Sequence, residues 1–467
     1  MYNCKDKNSI KLTELKGMNE IGFEEPQVEI SFRKSETGIF SNGSEKKEDT
    51  LNVLSLFSGC GGMDLGFEGG FPIPSALINK TISQDFISDQ LNENISLLSQ
   101  TKFKTIFAND ILPDAKNAWV NYFSKKGDYQ CWDKFHSQSI VDLVKLHEIE
   151  KNIFPENVDL VTGGFPCQDF SIAGKRKGFD SHKSHNGNYK HINEPSEETR
   201  GQLYMWMKRV VEITQPKMFI AENVKGLVNL NNVKEIIQSD FSSINGNGYF
   251  VFEPQVLHSA NFGVPQSRER VIFIGVKKSA LKPGLLKKLS QTALDSTLNP
   301  YPAPTHSYSV NGLNLALPTK LSDVFSLLVE PELSNDLSQK YYSKAKYMGA
   351  HCQGQTEIKL QGIGPTIRSE HHGNIEFRRL SVNHGGKYLD ELSNGMVERR
   401  LTPRECGLIQ TFPYNYEFVI ENKSKRKGSF LVSPSQAYKI IGNAVPPLLA
   451  FHIAKRIEKI WDLYFTA

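Results

Sequence analysis

The stretch "LNVLSLFSGCGGMDLGF", residues 51–67, decides the fold. Its opening, "LNVLSLFS", is a short apolar run closed by the glycine cluster of residues 59–62. The segment that follows, "MDLGFEGGF", carries a helix-like pattern. Strand, tight turn and helix in that order begin an α/β unit. Residues 1–50, ahead of it, are polar and charge-mixed, end in "SNGSEKKEDT", and read as an N-terminal extension.

The same alternation continues outward from that unit. Residues 75–103 are rich in Ser, Asn and Gln and look like an insertion. "FKTIFAND" then reads as a second strand ending in acid, followed by "ILPDAKNAWVNYF", whose Ile111, Ala115, Ala118, Trp119, Tyr122 and Phe123 share a helical face. "NVDLVTGG" is a third strand, "QLYMWMKRVVEITQ" an amphipathic helix stopped by Pro216, "KMFIAEN" a fourth strand and "RVIFIGV" another. Strands alternating with helices predict a doubly wound, mostly parallel sheet. The alternation breaks after residue 276; from about 280 to 400 the chain is irregular and predicts a smaller, loop-rich domain. The expected division is 1–50 extension, 51–280 α/β domain, 281–431 loop-rich domain and 432–467 a C-terminal segment returning to the α/β domain. That segment contains "PPLLAFHIAKRIEKIWDLY", a helix with proline at its start.

With 39% hydrophobic and 23% charged residues, the composition is that of an ordinary globular protein, and a net charge of +4 permits a polyanionic partner without demanding one. Six cysteines without any C-x-x-C pair fit neither a disulfide framework nor a zinc site, so no metal is expected and a reducing cytoplasm is. "MYNCKDKNSIKL" has no apolar signal core, and no apolar run reaches the ~20 residues of a membrane helix.

Several polar clusters stand at strand ends. Gly59, Gly61 and Gly62 let a ligand approach the backbone at a helix N-terminus. A plain βα turn explains them equally well. The dinucleotide fingerprint fits poorly, because Asp64 stands where its third glycine belongs and Asp110 lies far beyond its ~20-residue spacing. Asp110 ends a strand, where carboxylates accept ribose hydroxyls. Cys167, after Pro166, follows the strand at 158–162 and precedes a loop carrying Lys175, Arg176 and Lys177. A thiol near cations favours the thiolate; taken alone, the stretch also reads as a solvated loop over a buried cysteine. Glu222 and Asn223 end a strongly apolar strand, where an acid is costly unless hydrogen-bonded or functional. Arg268 and Arg270 alternate into a strand and so share a face. Thiol, acid and guanidinium at three strand ends of one sheet converge more readily than they scatter.

Taken in order, "LFSGCGG", "GGFPCQDFS", "RGQLY", "ENVKGL", "QSRERVIFIG", "RRLTPRECGLIQTFP" and "IGNAVPP" resemble the motif set of the DNA (cytosine-5)-methyltransferases, especially the bacterial partners of type II restriction enzymes. The match covers most of residues 51–276 and 400–450. The resemblance implies a Rossmann-like class I fold that uses S-adenosylmethionine, with Phe57, Gly59, Gly61, Gly62, Asp110, Ile111, Pro166, Leu203 and Asn443 around the cofactor. Phe57 would lie against the adenine, and Ile111 stands where many relatives place a stacking aromatic. The acid that relatives place against the adenine amine has only Ser139 near its position. Cys167 would be the nucleophile, Glu222 the acid facing cytosine N3 and N4, Arg270 the contact on the O2 side and Arg268 its support. Gln168, Ser171, Lys175, Arg176 and Lys177 would face double-stranded DNA. In "TIRSEHHGNIEFRRL", Arg368, His372, Asn374 and Arg378 are the candidate base readers, since Arg suits guanine and Asn suits adenine. The resemblance further implies a monomer working alongside a restriction endonuclease without a stable complex. A tRNA cytosine-5 methyltransferase and a non-catalytic DNA-binding protein share the fold and remain the alternatives; the long variable region favours DNA and the intact Cys167, Glu222 and Arg270 favour catalysis.

Overall fold

A computed structural model describes residues 50–150, 152–166, 203–229, 232–309, 314–344, 347–349, 356–369, 376–425 and 428–466. Strand β1 (Leu51–Leu56) runs into α1 (Gly62–Glu68), β2 (Phe103–Asn109) into α2 (Pro113–Lys125), and β3 (Phe135–His136) into α3 (Ile140–Glu150). Then come β4 (Leu160–Gly164), α4 (Leu203–Thr214), β5 (Met218–Val224), α5 (Val233–Ser242), β6 (Tyr249–Val251), β7 (Gln255–His258) and β8 (Glu269–Lys277). The sheet order is β7-β8-β5-β4-β1-β2-β3, with β6 also on β8, making eight strands. The inner strands β5, β4, β1, β2 and β3 pair in parallel, whereas β8 is antiparallel to β5, β6 and β7. The expected doubly wound, mostly parallel sheet is therefore present.

Its strands read as continuous apolar runs because both faces are covered. Successive residues go to opposite cores: Val53, Ile220, Ile272 and Ile274 pack with α1, α2 and the last helix, while Leu54, Phe219, Ala221, Val271 and Phe273 pack with α3 and α4. After the sheet, the chain passes through short elements and reaches α6 (Pro403–Ile409), α7 (Pro434–Asn443) and α8 (Pro447–Tyr464). α6 and α7 start on capping boxes, with Thr402 and Ser433 as caps and Pro at the first helical position of each. α8 is buried along its length, Leu448, Phe451, Ile457 and Tyr464 included. Among the described residues, no helix is long and apolar enough to cross a membrane.

One expectation needs correction. Ile111 was placed on the apolar face of the second helix, but α2 starts two residues later at Pro113 and Ile111 is 40% exposed. Residues 75–103 belong to a built element. Pro72–Pro74, Ile95–Leu98 and Ile87–Gln90 form a three-stranded antiparallel sheet that buries Ile73, Ile95 and Leu98. The side-chain amide of Asn79 donates to the carbonyls of Thr305 (2.9 Å) and Asn314 (2.8 Å), fastening the element to the chain beyond β8.

Phe86 of this element meets Phe451 and His452 of α8 edge-on, at centroid distances of 5.2 and 5.0 Å. Burial drives the His452 imidazole down to about 3 and that of neighbouring His306 down to about 4, from an ordinary 6.5. Both rings are therefore neutral in the folded protein, while the unfolded chain takes up protons near the ordinary value. Their contribution is fully present above about pH 6.5 and is lost as pH falls toward the folded values. We expect roughly 2 kcal/mol per ring to disappear between pH 7 and pH 5. The drop in urea midpoint between those pH values should be smaller in His452→Phe; an equal drop in the variant assigns the loss to other groups.

Candidate active site

The carboxyl ends of β1 and β4 lie side by side, yet the chain leaves them in opposite directions, toward β2 and toward β5. That divergence opens the crevice in which doubly wound sheets bind ligands. On the β1 side the backbone is left-handed at Phe57 (φ 53°), Gly59 (φ 55°) and Gly61 (φ 81°). Phe tolerates this poorly, at a cost of order 1–3 kcal/mol, and such outliers gather at ligand sites. The three glycines divide in purpose. A Cβ on Gly61 would meet the Trp119 ring at 2.6 Å and one on Gly62 the Val445 carbonyl oxygen at 2.2 Å, whereas one on Gly59 has no atom within 4 Å. Gly61 and Gly62 thus serve the packing of α1, and Gly59 alone borders open space.

Asp110 follows β2. Its carboxylate accepts N–H bonds from Gly59 (2.9 Å) and Leu112 (2.8 Å), so it ties the glycine turn to the second strand. Burial raises its pKa, and those two N–H groups together with Lys439 oppose the rise. Asp64, at the position of the missing third glycine, is buried and accepts bonds from Ser55 and from the Trp119 indole, the latter at 2.7 Å. Burial pushes its carboxyl up to about 6, opposed by those bonds. It knits α1 to β1 and α2 rather than leaving room for a pyrophosphate. The Val445 contact seats the loop after α7 against the glycine turn, with exposed Asn443 two residues away. Half-buried Pro166 follows β4, and Leu203 begins α4, buried among Leu56, Phe165 and Met207. Ser139 offers its hydroxyl to the Val141 N–H at the start of α3, a capping contact. An acid beside an open glycine, with a partly exposed Phe57 and an exposed Ile111, suits a nucleoside better than a dinucleotide.

One strand over, β5 carries Glu222 at its carboxyl end, in register with Gly164 of β4. The antiparallel direction of β8 brings its first residues to this same edge, where Arg270 pairs with Val224. Arg270 Nε lies 2.7 Å from Glu222 Oε1, with both side chains about nine-tenths buried (12% and 10% exposed). A Cβ on Gly164 would stand 2.9 Å from the other carboxylate oxygen. Acid and guanidinium therefore meet, as expected. Arg268 turns into the protein, 1% exposed, and donates to the carbonyls of Ile367 (3.1 Å), Gly442 (3.2 Å) and Ala444 (2.8 Å).

Cys167, Gln168, Ser171, Lys175, Arg176, Lys177, His372 and Asn374 lie outside the described residues. Arg368 is exposed. Arg378 requires correction as a base reader. Its guanidinium bonds both oxygens of Glu391 at 2.5 and 3.1 Å and lies over the Phe325 ring at 4.9 Å. It belongs to a buried charge cluster in which Arg379 and Arg399 both clamp Glu330, and Arg399 also clamps Glu405. Burial works to raise the Glu330 carboxyl, but the two arginines hold it down at about 2.

Three positions had no assigned role. Asn223 donates its side-chain amide to the Phe165 carbonyl (3.2 Å), fixing the turn that leads into Pro166. Gln266 and Gln410 join side chain to side chain at 2.8 Å beneath the site. All three stand inside the quoted motifs, but an amide in a polar stretch has no periodicity to reveal which way it points.

The doubly wound sheet with its antiparallel β8 is the class I methyltransferase fold. The family model for the C-5 cytosine-specific DNA methylases matches residues 51–459, and the chain belongs to that family. It is 30% identical over 427 residues to the Type II methyltransferase M.BsuRI of Bacillus subtilis, covering 90% of this chain and 81% of that protein. It is also 30% identical over 369 residues to the Type II methyltransferase M.HpaII of Haemophilus parainfluenzae, covering 73% and 84%. A crystal structure of a Spodoptera frugiperda DNMT2 mutant shares the fold at 16% identity with a TM-score of 0.50, over 88% of this chain and all (100%) of that one. The enzyme is thus a DNA cytosine-5-methyltransferase.

Because the atom nearest a Gly164 Cβ is the tip of a flexible side chain, Gly164→Ala should fold normally and displace only the Glu222 carboxylate. We expect methyl transfer to fall at least about tenfold with thermal stability nearly unchanged; retained activity would show that the carboxylate's position is not critical.

Proposed function

We propose that the protein transfers a methyl group from S-adenosylmethionine to C5 of a flipped-out cytosine within a specific double-stranded DNA sequence, through a covalent bond between Cys167 and C6. The observation that carries this reading is the Glu222–Arg270 pair, held 2.7 Å apart over Gly164, three residues before Cys167. A carboxyl and a guanidinium on one edge complement a pyrimidine that offers N3 and N4 on one side and O2 on the other.

Cytosine C5 is a poor nucleophile. Addition of the Cys167 thiolate to C6 pushes the ring electrons toward C5 and N3, splitting one hard step into two easier ones. A protonated Glu222 donates a hydrogen bond to N3 and stabilises the charge that gathers there, and Arg270 holds O2. The cofactor, when bound, supplies an electrophilic methyl group. Once C5 has gained its methyl, a base removes the C5 proton, the C5–C6 double bond re-forms and the thiolate leaves. Asp110 would take the ribose hydroxyls, with Phe57, Gly59, Ile111, Pro166, Leu203 and Asn443 enclosing the rest. In a duplex the target base is stacked, so it must swing out at a cost of a few kcal/mol, offset by pocket contacts and by Gln168, Ser171, Lys175, Arg176 and Lys177 on the duplex.

In this reading, residues 281–431 are the target-recognition domain, with Arg368, His372 and Asn374 facing the bases, and residues 432–467 rejoin the catalytic domain 51–280. The protein would act as a monomer in the cytoplasm and shield host DNA from a cognate restriction endonuclease without binding it.

Bisulfite sequencing of DNA from cells expressing the protein should show one sequence context converted to 5-methylcytosine; methylated tRNA with unmodified DNA would overturn the substrate. DNA carrying 5-fluorocytosine in that context should trap a stable adduct with the wild-type enzyme. With Cys167→Ser no adduct should form and turnover should fall below detection while S-adenosylhomocysteine still binds. An active serine variant would remove the covalent route.

A further inference from the structure

Beneath the site, a chain of buried side-chain amides runs in one direction. The Ile367 N–H donates to Gln266 Oε1 at 3.1 Å, Gln266 Nε2 donates to Gln410 Oε1 at 2.8 Å, and Gln410 Nε2 donates to the carbonyls of Ile441 (2.7 Å) and Ala444 (3.2 Å). Gln266 and Gln410 have no exposed surface (0%). Every amide end is used in a single orientation, so each residue must be an acceptor on one side and a donor on the other.

Arg268 spans the same gap in parallel, bonding the carbonyls of Ile367, Gly442 and Ala444. Ile367 is thereby held by both its N–H and its C=O. Backbone contact closes the arrangement: a Cβ on Gly442 would stand 2.2 Å from the carbonyl carbon of Arg368. The next residue after Gln410 adds an independent sign of constraint. Thr411 is left-handed (φ 66°), a conformation that β-branched residues rarely adopt, and its hydroxyl accepts the Leu448 N–H at 3.1 Å at the start of α8.

Three functional segments meet at this knot. Gln266 and Arg268 lead directly into Arg270. Ile367 precedes exposed Arg368 on the way to the candidate base readers. Residues 441–444 enclose Asn443 and adjoin the glycine turn. We propose that Gln410, through Gln266, is a positioning residue that makes the DNA-facing segment 364–369 and the cofactor-facing loop 441–445 move as one body, so that occupation of either site tightens the other. This rests on the function proposed above, namely a nucleoside cofactor at Asp110 and DNA at Arg270 and Arg368. Coupling between sites must be reciprocal, and factors of about 5 to 150 are usual.

The test uses the full-length protein, S-adenosylhomocysteine and a duplex containing the context found by bisulfite sequencing. In the wild type, the duplex should tighten S-adenosylhomocysteine binding by roughly tenfold, and the ligand should tighten duplex binding by the same factor. Gln410→Glu, of the same volume, replaces the N–H donor that holds the carbonyls of Ile441 and Ala444 with a carboxylate oxygen. Its coupling factor should fall to about one while each separate affinity changes by less than about threefold. An unchanged coupling factor in the variant, or a factor of one in the wild type, overturns the proposal. Loss of S-adenosylhomocysteine binding by the wild type would instead defeat the cofactor reading itself. Should Gln410→Glu fail to fold, hydrogen exchange on the wild type decides. S-adenosylhomocysteine without DNA must slow exchange across residues 364–369, and no change there also overturns the proposal.

Discussion

A carboxyl at the end of a strand composed of Met, Phe, Ile and Ala is tolerated there because a guanidinium meets it. Isolating either charge in that setting typically costs about 3–5 kcal/mol, so the Glu222–Arg270 pair dictates what surrounds it. Arg270 can reach Glu222 only from a strand whose first residues lie at the carboxyl edge, and in a parallel sheet that edge holds strand ends. The antiparallel course of β8 resolves the conflict. Gly164 follows from the same demand, since its register partner is Glu222 and the carboxylate needs the volume a side chain would fill. One ion pair thus accounts for a strand direction, a glycine and the entrance to the nucleophile turn.

The arginines illustrate a second constraint, that guanidinium groups near a surface are not interchangeable. Arg268 and Arg270 alternate on one strand, yet one faces the crevice and the other is consumed by backbone carbonyls. Arg378, Arg379 and Arg399 occupy an apparently basic stretch but are matched by Glu330, Glu391 and Glu405. A region built on short elements, with few strands to bury, gains order from such a cluster through geometry more than through net energy, because desolvation offsets most of the Coulomb attraction. The charge available for DNA from these residues is correspondingly smaller than the sequence implies.

How much of this was legible beforehand follows from what each feature depends on. The sheet was readable because two-sided burial writes an unbroken apolar run, as in "KMFIAEN" and "RVIFIGV". The convergence of Glu222 with Arg270 was readable because strand ends of one sheet share an edge. The insertion was not, because its strands are short, flanked by Ser and Asn, and stabilised by contacts from Thr305, Asn314 and Phe451 that lie hundreds of residues away. Ile111 was misplaced by a helix boundary two residues off, and Arg378 was misread because its carboxylate partner is thirteen residues downstream. That Gly61 and Gly62 also leave room for Trp119 and Val445 was not legible, because those partners lie far along the chain.

The unpartnered side of that comparison is the amide relay. Hydrophobic patterning cannot specify it, because Gln266 and Gln410 occupy positions where a Leu or Met of similar size would bury more apolar surface. Keeping two fully buried glutamines is tolerable only when every donor and acceptor is matched, and matched amides fix orientation in a way apolar packing does not. The segments they orient come from three separate stretches, 265–270, 364–369 and 441–445, which no covalent continuity aligns. A site that must bring an acid, a guanidinium and two substrates into register across those stretches needs directional bonds beneath it, and the buried amides supply them.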